Sequence, residues 1–208
     1  MIRDEAEARA WLGGPFGATR ETITALERLV AALREENRVQ NLVSAASLGE
    51  VWVRHIADSA QLLLHVSHET TAPWLDLGTG AGFPGLVIAI LRPDLPLIMV
   101  ESRKRRVEWL KRARAAFAPR ATVIGEPLER IDRVAAGVIS ARAFAPLDRL
   151  LLLSSRFSTD ETLWLLPKGR NGANELREMG RNTQRMFHVK PSLTDADSVV
   201  LVGRGIPS

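Results

Sequence analysis

The chain has 208 residues, of which 46% are hydrophobic and 25% charged. That is enough for a hydrophobic core without staples, and it excludes wholesale disorder, collagen-like repeats and a coiled-coil rod. With no cysteine and no tyrosine, disulfides, thiolate zinc sites, iron–sulfur clusters, cysteine nucleophiles and phenolic acids or bases are all excluded. Lys+Arg is 28 against Asp+Glu 24, giving a formal net charge of +4, and lysine stands only at Lys104, Lys111, Lys168 and Lys190. An arginine-heavy basic chain fits a nucleic-acid partner, because the planar guanidinium binds phosphate bidentately; a genome-wide bias toward arginine gives the same composition.

Taken in chain order, the stretch Met1–Trp11 is too charged for a signal peptide, and no apolar run reaches the roughly 18 residues of a membrane span. A cytoplasmic protein is expected. Residues 1–70 read as a helical extension. Ile23, Leu26, Leu29, Val30 and Leu33 recur at helical spacing between Thr19 and Arg38, and a second helix is expected from about Leu48 to Val66. From residue 71 to 208 short apolar runs alternate with helical stretches. Strands are expected at Trp74–Leu77, Leu97–Val100, Thr122–Ile124, Gly137–Ser140, Thr162–Leu166, Met186–Val189 and Val199–Val202. Helices are expected at Gly85–Leu91, Arg103–Ala116, Leu147–Ser155 and Glu175–Arg181. This is the pattern of an α/β, doubly wound, mostly parallel sheet. The short link between the last two strands predicts an antiparallel hairpin at the sheet edge.

The first strand runs into the loop Asp76-Leu77-Gly78-Thr79-Gly80-Ala81-Gly82-Phe83-Pro84-Gly85, and the second ends at Glu101. A glycine-rich first turn lets backbone approach a cofactor, and an acid after the second strand suits ribose hydroxyls. Gly80 to Gly85 also fits the dinucleotide fingerprint GxGxxG, so a nicotinamide-dependent oxidoreductase is one reading. Asp76 argues for another. A carboxylate at the loop mouth opposes a pyrophosphate but suits the ammonium and sulfonium of S-adenosylmethionine. Asp76, Gly78, Gly80, Gly82, Phe83 and Glu101 are therefore candidate S-adenosyl-L-methionine contacts.

Several stretches resemble the bacterial small-subunit ribosomal RNA methyltransferase G family, also called the glucose-inhibited division protein B family. They are Asn41-Leu42-Val43, Arg54-His55-Ile56-Ala57-Asp58-Ser59, the Asp76–Gly85 loop, Glu101-Ser102-Arg103-Lys104-Arg105-Arg106, Ser140-Ala141-Arg142-Ala143-Phe144 and Pro167-Lys168-Gly169. Their order and spacing are far more specific than the loop alone. The resemblance implies a class I, Rossmann-like methyltransferase fold, methylation of guanine N7 in 16S ribosomal RNA, and cofactor contacts at Gly78, Phe83, Pro127, Leu128 and Arg142. The family usually reads Gly-Arg-Ala-Glu after the third strand where this chain reads Gly125-Glu126-Pro127-Leu128-Glu129. Proline has no N–H, so a donor there must come from Leu128. After about Gly172 the family pattern is lost.

On the substrate side, Arg103, Lys104 and Arg105 open a run of cations up to Arg114 that holds one acid, Glu108, which suits phosphates better than internal pairing. Arg54 and His55 are expected to border the substrate cleft. A metal site is not expected, since His55 and Asp58 lack a third partner on their helix face. Arg142 and Lys168 together are expected to make the cleft positive. The fourth strand ends in Ser140-Ala141-Arg142-Ala143, not in the Asn/Asp-Pro-Pro-aromatic motif of exocyclic amine methylation. Guanine N7 carries a lone pair and no proton, so it needs placement and no base. The expected partner is 16S ribosomal RNA or the small-subunit particle, with the protein a monomer and no membrane involved. A non-enzymatic RNA-binding protein is the remaining alternative.

Overall fold

The computed structural model describes residues 1–142 and 144–207. It opens with three helices, α1 (Glu5–Gly13), α2 (Arg20–Asn37) and α3 (Ala45–Gly49). Asp4 and Thr19 start the first two by accepting the N–H groups of Glu7 and Thr22. The expected helix over Leu48–Val66 is a succession of turns of different pitch. Trp52–Ala57 is π-helical, α4 (Asp58–Ala60) is a single α turn, and Gln61–His65 is 3₁₀. Wide turns of this kind recur at functional sites.

The sheet then begins. β1 (Trp74–Leu77), α5 (Gly85–Leu91), β2 (Leu97–Val100), α6 (Lys104–Phe117), β3 (Thr122–Ile124), β4 (Val138–Ala141), α7 (Leu147–Ser154) and β5 (Leu163–Lys168) follow in order. Two short helices, α8 (Gly172–Arg177) and α9 (Arg181–Met186), stand where one helix over Glu175–Arg181 was expected, and they lead to β6 (Phe187–Pro191) and β7 (Val199–Arg204). The strand order is β3-β2-β1-β4-β5-β7-β6. The first five strands are parallel, and β7 lies antiparallel between β5 and β6.

The continuous apolar strands are explained by burial on both faces. Trp74, Leu97, Met99, Val138, Leu163 and Leu165 enter the core shared with α2, α5 and α6. Leu75, Leu77, Val100, Ile139, Trp164 and Leu166 enter the core shared with α7. The order reverses between β1 and β4, and ligands of open α/β sheets sit at the carboxyl ends of strands flanking such a switch point. Among the described residues no helix is long and apolar enough to cross a membrane.

Candidate active site

The turn leaving β1 is shaped by Gly78 and Gly80, both at φ +60°, where other residues are strained. The Gly80 N–H donates to Glu101 Oε2 at 3.2 Å, and Glu101 Oε1 accepts the N–H groups of Ser102 and Arg103 at 2.8 and 2.9 Å. Glu101 thus fastens the glycine turn to the start of α6. That helix begins Lys104-Arg105-Arg106, three cations at the end where its dipole favours anions, so the carboxylate also offsets their repulsion.

A cavity of about 230 Å³ opens here at the ends of β1, β2 and β3. Gly78, Glu101, Ser102, Arg103, Glu126, Leu128 and Phe144 help to line it. Glu126 was not foreseen, and Pro127 is absent from the lining. The Pro127 carbonyl accepts the Arg130 N–H at 2.9 Å, which commits that residue to the 3₁₀ turn Leu128–Arg130. Gly80 lies behind the cavity on Glu101. Gly82 faces the core, where an added Cβ would strike the Leu86 side chain.

The expectation that Asp76 stands at the loop mouth is corrected. Asp76 is fully buried beneath the loop. Its Oδ2 accepts the Gly85 N–H at 2.9 Å, and its Oδ1 accepts the Ser140 hydroxyl at 2.7 Å, directly across the β1–β4 pairing. Ser140 in turn accepts the Trp74 indole N–H at 2.8 Å. A Cβ at Gly85 would come within 2.8 Å of Asp76 Oδ2, so glycine is needed for this approach. Burial pushes the Asp76 carboxyl up to about 6, against the opposing hydrogen bonds from Ser140 and Gly85.

A second cavity, of about 720 Å³, lies beyond β4. Arg142 lines this one and not the smaller one. Its Nη1 donates to the Arg54 carbonyl at 3.1 Å and to Asp58 Oδ2 at 3.2 Å, and its Nη2 lies 3.0 Å from His55 Nδ1. A guanidinium only donates, so Nδ1 accepts and the imidazole proton sits on Nε2, which is buried without a partner. Burial, with Arg142 and Arg54 nearby, lowers the His55 pKa to about 3. The His55 ring stacks on Phe83 at 4.9 Å between centroids, and the Arg142 guanidinium lies 5.5 Å from the same ring. Phe83 therefore supports the second cavity from below instead of lining the first.

The expected positive cleft is also corrected. Arg54 pairs with Asp195 at 2.7 Å, Arg142 with Asp58 at 3.2 Å, and Lys168 with Glu175 at 2.8 Å, so three cations of the lining are matched by three carboxylates. Asp58 is held further by Gln61 Nε2 at 2.8 Å and Thr194 Oγ1 at 2.9 Å. Asp195, Thr194 and Glu175 were missed because they lie in the tail where no motif marked them. Lys104 and Arg105 line neither cavity. They stand exposed on the outer side of α6, where Arg105 also donates to the Val39 carbonyl at 3.0 Å. Ala143, part of the motif after β4, lies outside the described residues.

Comparison with known proteins gives the family and the fold. The family model described as rRNA small subunit methyltransferase G matches residues 22–196. The chain is 56% identical over 206 residues to "Ribosomal RNA small subunit methyltransferase G" of Erythrobacter litoralis, covering 99% of this chain and 98% of that one. Among solved structures it resembles a putative O-methyltransferase from Klebsiella pneumoniae, with a TM-score of 0.62 at 15% identity and coverage of 96% of both chains. It also resembles a TehB-like S-adenosylmethionine-dependent methyltransferase from Corynebacterium glutamicum, with a TM-score of 0.55 at 16% identity, covering 84% of this chain and 98% of that one. The fold is that of the class I S-adenosylmethionine-dependent methyltransferases, and the chain belongs to the rRNA small subunit methyltransferase G family.

Proposed function

We propose that this chain transfers a methyl group from S-adenosylmethionine to guanine N7 in 16S ribosomal RNA. The observation that carries the reading is the meeting of two cavities at the switch point, one suited to a nucleoside and the other lined by ion pairs. Glu101 accepts three backbone N–H groups. A carboxylate offers about four lone-pair sites, so one remains for a ribose hydroxyl. Leu128 supplies an apolar wall for a base, and Gly78 brings bare backbone to the edge. Asp76 acts from beneath, by holding Gly85 and Ser140.

When bound, S-adenosylmethionine supplies an electrophilic methyl group, and positive charge passes to the base with it. N7 has no proton to lose, so no residue of this chain has to act as a base. The larger cavity fits that demand. Its carboxylates are tied to cations, and Arg54 holds Asp195 below the usual carboxylate range. His55 Nδ1 is occupied by Arg142. The three ion pairs leave this wall formally neutral, so a base that becomes cationic meets no excess of positive charge. Catalysis then rests on placement of the base by the Arg142–His55–Asp58 group.

Arg103, Lys104 and Arg105 are suited to the RNA phosphates. Lys104 and Arg105 stand in the first turn of α6, where an unpaired cation costs about 0.3–1 kcal/mol, which a polyanionic partner reverses. The test is transfer of labelled methyl to small subunits from a strain lacking the gene, with the base located by chemical cleavage at 7-methylguanine. Label at one guanine of 16S RNA is expected. No incorporation while S-adenosylhomocysteine still binds would overturn the proposed substrate, and binding of NAD(P) in its place would return the oxidoreductase reading.

A further inference from the structure

We infer that Phe144 gates the passage between the two cavities and couples their occupancy. Among the described residues Phe144 is the one residue common to both linings. Its ring lies directly against Gly78, where an added Cβ would collide with it. The Phe144 ring is therefore the partition between the cavity beside Glu101 and the cavity beside Arg142. A methyl group carried from one to the other has to pass this ring.

The sizes agree. The smaller cavity, about 230 Å³, falls below the roughly 300–1,000 Å³ of ligand pockets, whereas the larger, about 720 Å³, is within it. The smaller cavity has room for a nucleoside, and its continuation past Gly78 is filled by the aromatic ring. Moving the ring off Gly78 extends the smaller cavity toward Arg142 and places an apolar plate at the edge of the larger one. Phe144 follows the end of β4 by three residues and precedes Pro146, which stands at the N-terminus of α7. It is thus a positioning residue on the connection at the switch point.

This inference rests on the cofactor named above. A protein whose binding-competent form is a fraction f of the whole binds with an apparent Kd raised by 1/f. If the ring covers Gly78 nine-tenths of the time, removing it tightens binding about tenfold. The experiment is titration calorimetry of S-adenosylhomocysteine against the wild-type chain, Phe144→Ala, Phe144→Leu and Phe144→Trp, each checked by its melting curve. A 16S RNA fragment is then titrated with and without S-adenosylhomocysteine. Affinity for S-adenosylhomocysteine is expected to rise as the side chain shrinks, by threefold or more for Ala, and to fall for Trp. RNA affinity is expected to increase with S-adenosylhomocysteine in the wild type and to be indifferent to it in Phe144→Ala. Equal or weaker binding by Phe144→Ala and Phe144→Leu, with the wild type binding normally, overturns the gate and leaves the proposed function intact. No binding by the wild-type chain overturns both.

Discussion

Ser140 is the pin whose removal tests the buried design most directly. It accepts from the Trp74 indole at 2.8 Å and donates to Asp76 at 2.7 Å, and all three residues are fully buried. Ser140→Ala leaves the indole N–H without its partner, at a cost of about 1–3 kcal/mol, and removes a hydrogen bond to a carboxylate worth about 1.5–3 kcal/mol. Together these give about 2.5–6 kcal/mol, a large part of the roughly 5–15 kcal/mol that holds a domain folded. At about 2–4 °C per kcal/mol for a chain of this size, the melting temperature should drop by about 10 °C. The assay is urea unfolding of the wild type, Ser140→Ala, Trp74→Phe and the double variant, compared at constant m-value. Because Trp74→Phe removes the stranded donor, the double variant should lose about 1–3 kcal/mol less than the sum of the singles. A cost below about 1 kcal/mol for Ser140→Ala, or simple additivity, would refute the claim that this chain of hydrogen bonds sets the loop.

Four further outcomes follow from the structure. His55 has its folded pKa lowered to about 3 from 6.5, so its stabilising contribution is complete above pH 6.5 and is lost as pH falls toward 3, by about 5 kcal/mol in all. The stability difference between wild type and His55→Gln should shrink over that window, and a difference constant with pH would contradict it. Asp76 acts in the opposite sense, its pKa being raised to about 6 from 3.8, so in His55→Gln the remaining stability should fall as pH rises from about 4 to 6 in denaturant titrations. Arg142→Lys cannot reach the Arg54 carbonyl, Asp58 and His55 together, and kcat/KM on RNA should drop roughly 10- to 100-fold with the Kd for S-adenosylhomocysteine nearly unchanged. Lys104→Ala and Arg105→Ala should each lower the slope of log affinity against log salt by roughly 0.7 if they meet single-stranded phosphates, as read by filter binding at graded salt.

Much of the sheet is legible in the residues, because a strand buried on both faces must be apolar throughout. Trp74–Leu77, Leu97–Val100 and Thr122–Ile124 stand as expected, and β4 is displaced by one residue. Helices near the ends are less legible. Residues 52–65 carry a helical apolar pattern, but that pattern does not distinguish α from π or 3₁₀ turns. The two short helices around Glu178–Gly180 merge in any periodicity window. α1 carried a signal, Asp4 before the acidic Glu5 and Glu7, that charge alone obscured. At the site the glycine turn and Glu101 were readable because backbone demands select their residue types. The burial of Asp76 was not, since a loop acid and a core acid look alike in one dimension. The neutrality of the larger cavity was hidden because Arg54 and Asp195 are 141 positions apart.

The two cavities also differ in the span of chain they need. The smaller is lined by residues between Gly78 and Phe144, the shorter span of the two. The larger draws on Ser47 at one extreme and on Ser192 to Val200 at the other. Loop-closure entropy must be met before such distant contacts stabilise anything, which delays them in folding. On a translating ribosome the pocket by Glu101 has all its walls as soon as Phe144 has emerged. The pocket by Arg142 must wait for the segment carrying Asp195, so a nascent chain of this protein acquires its two halves of chemistry at separate times.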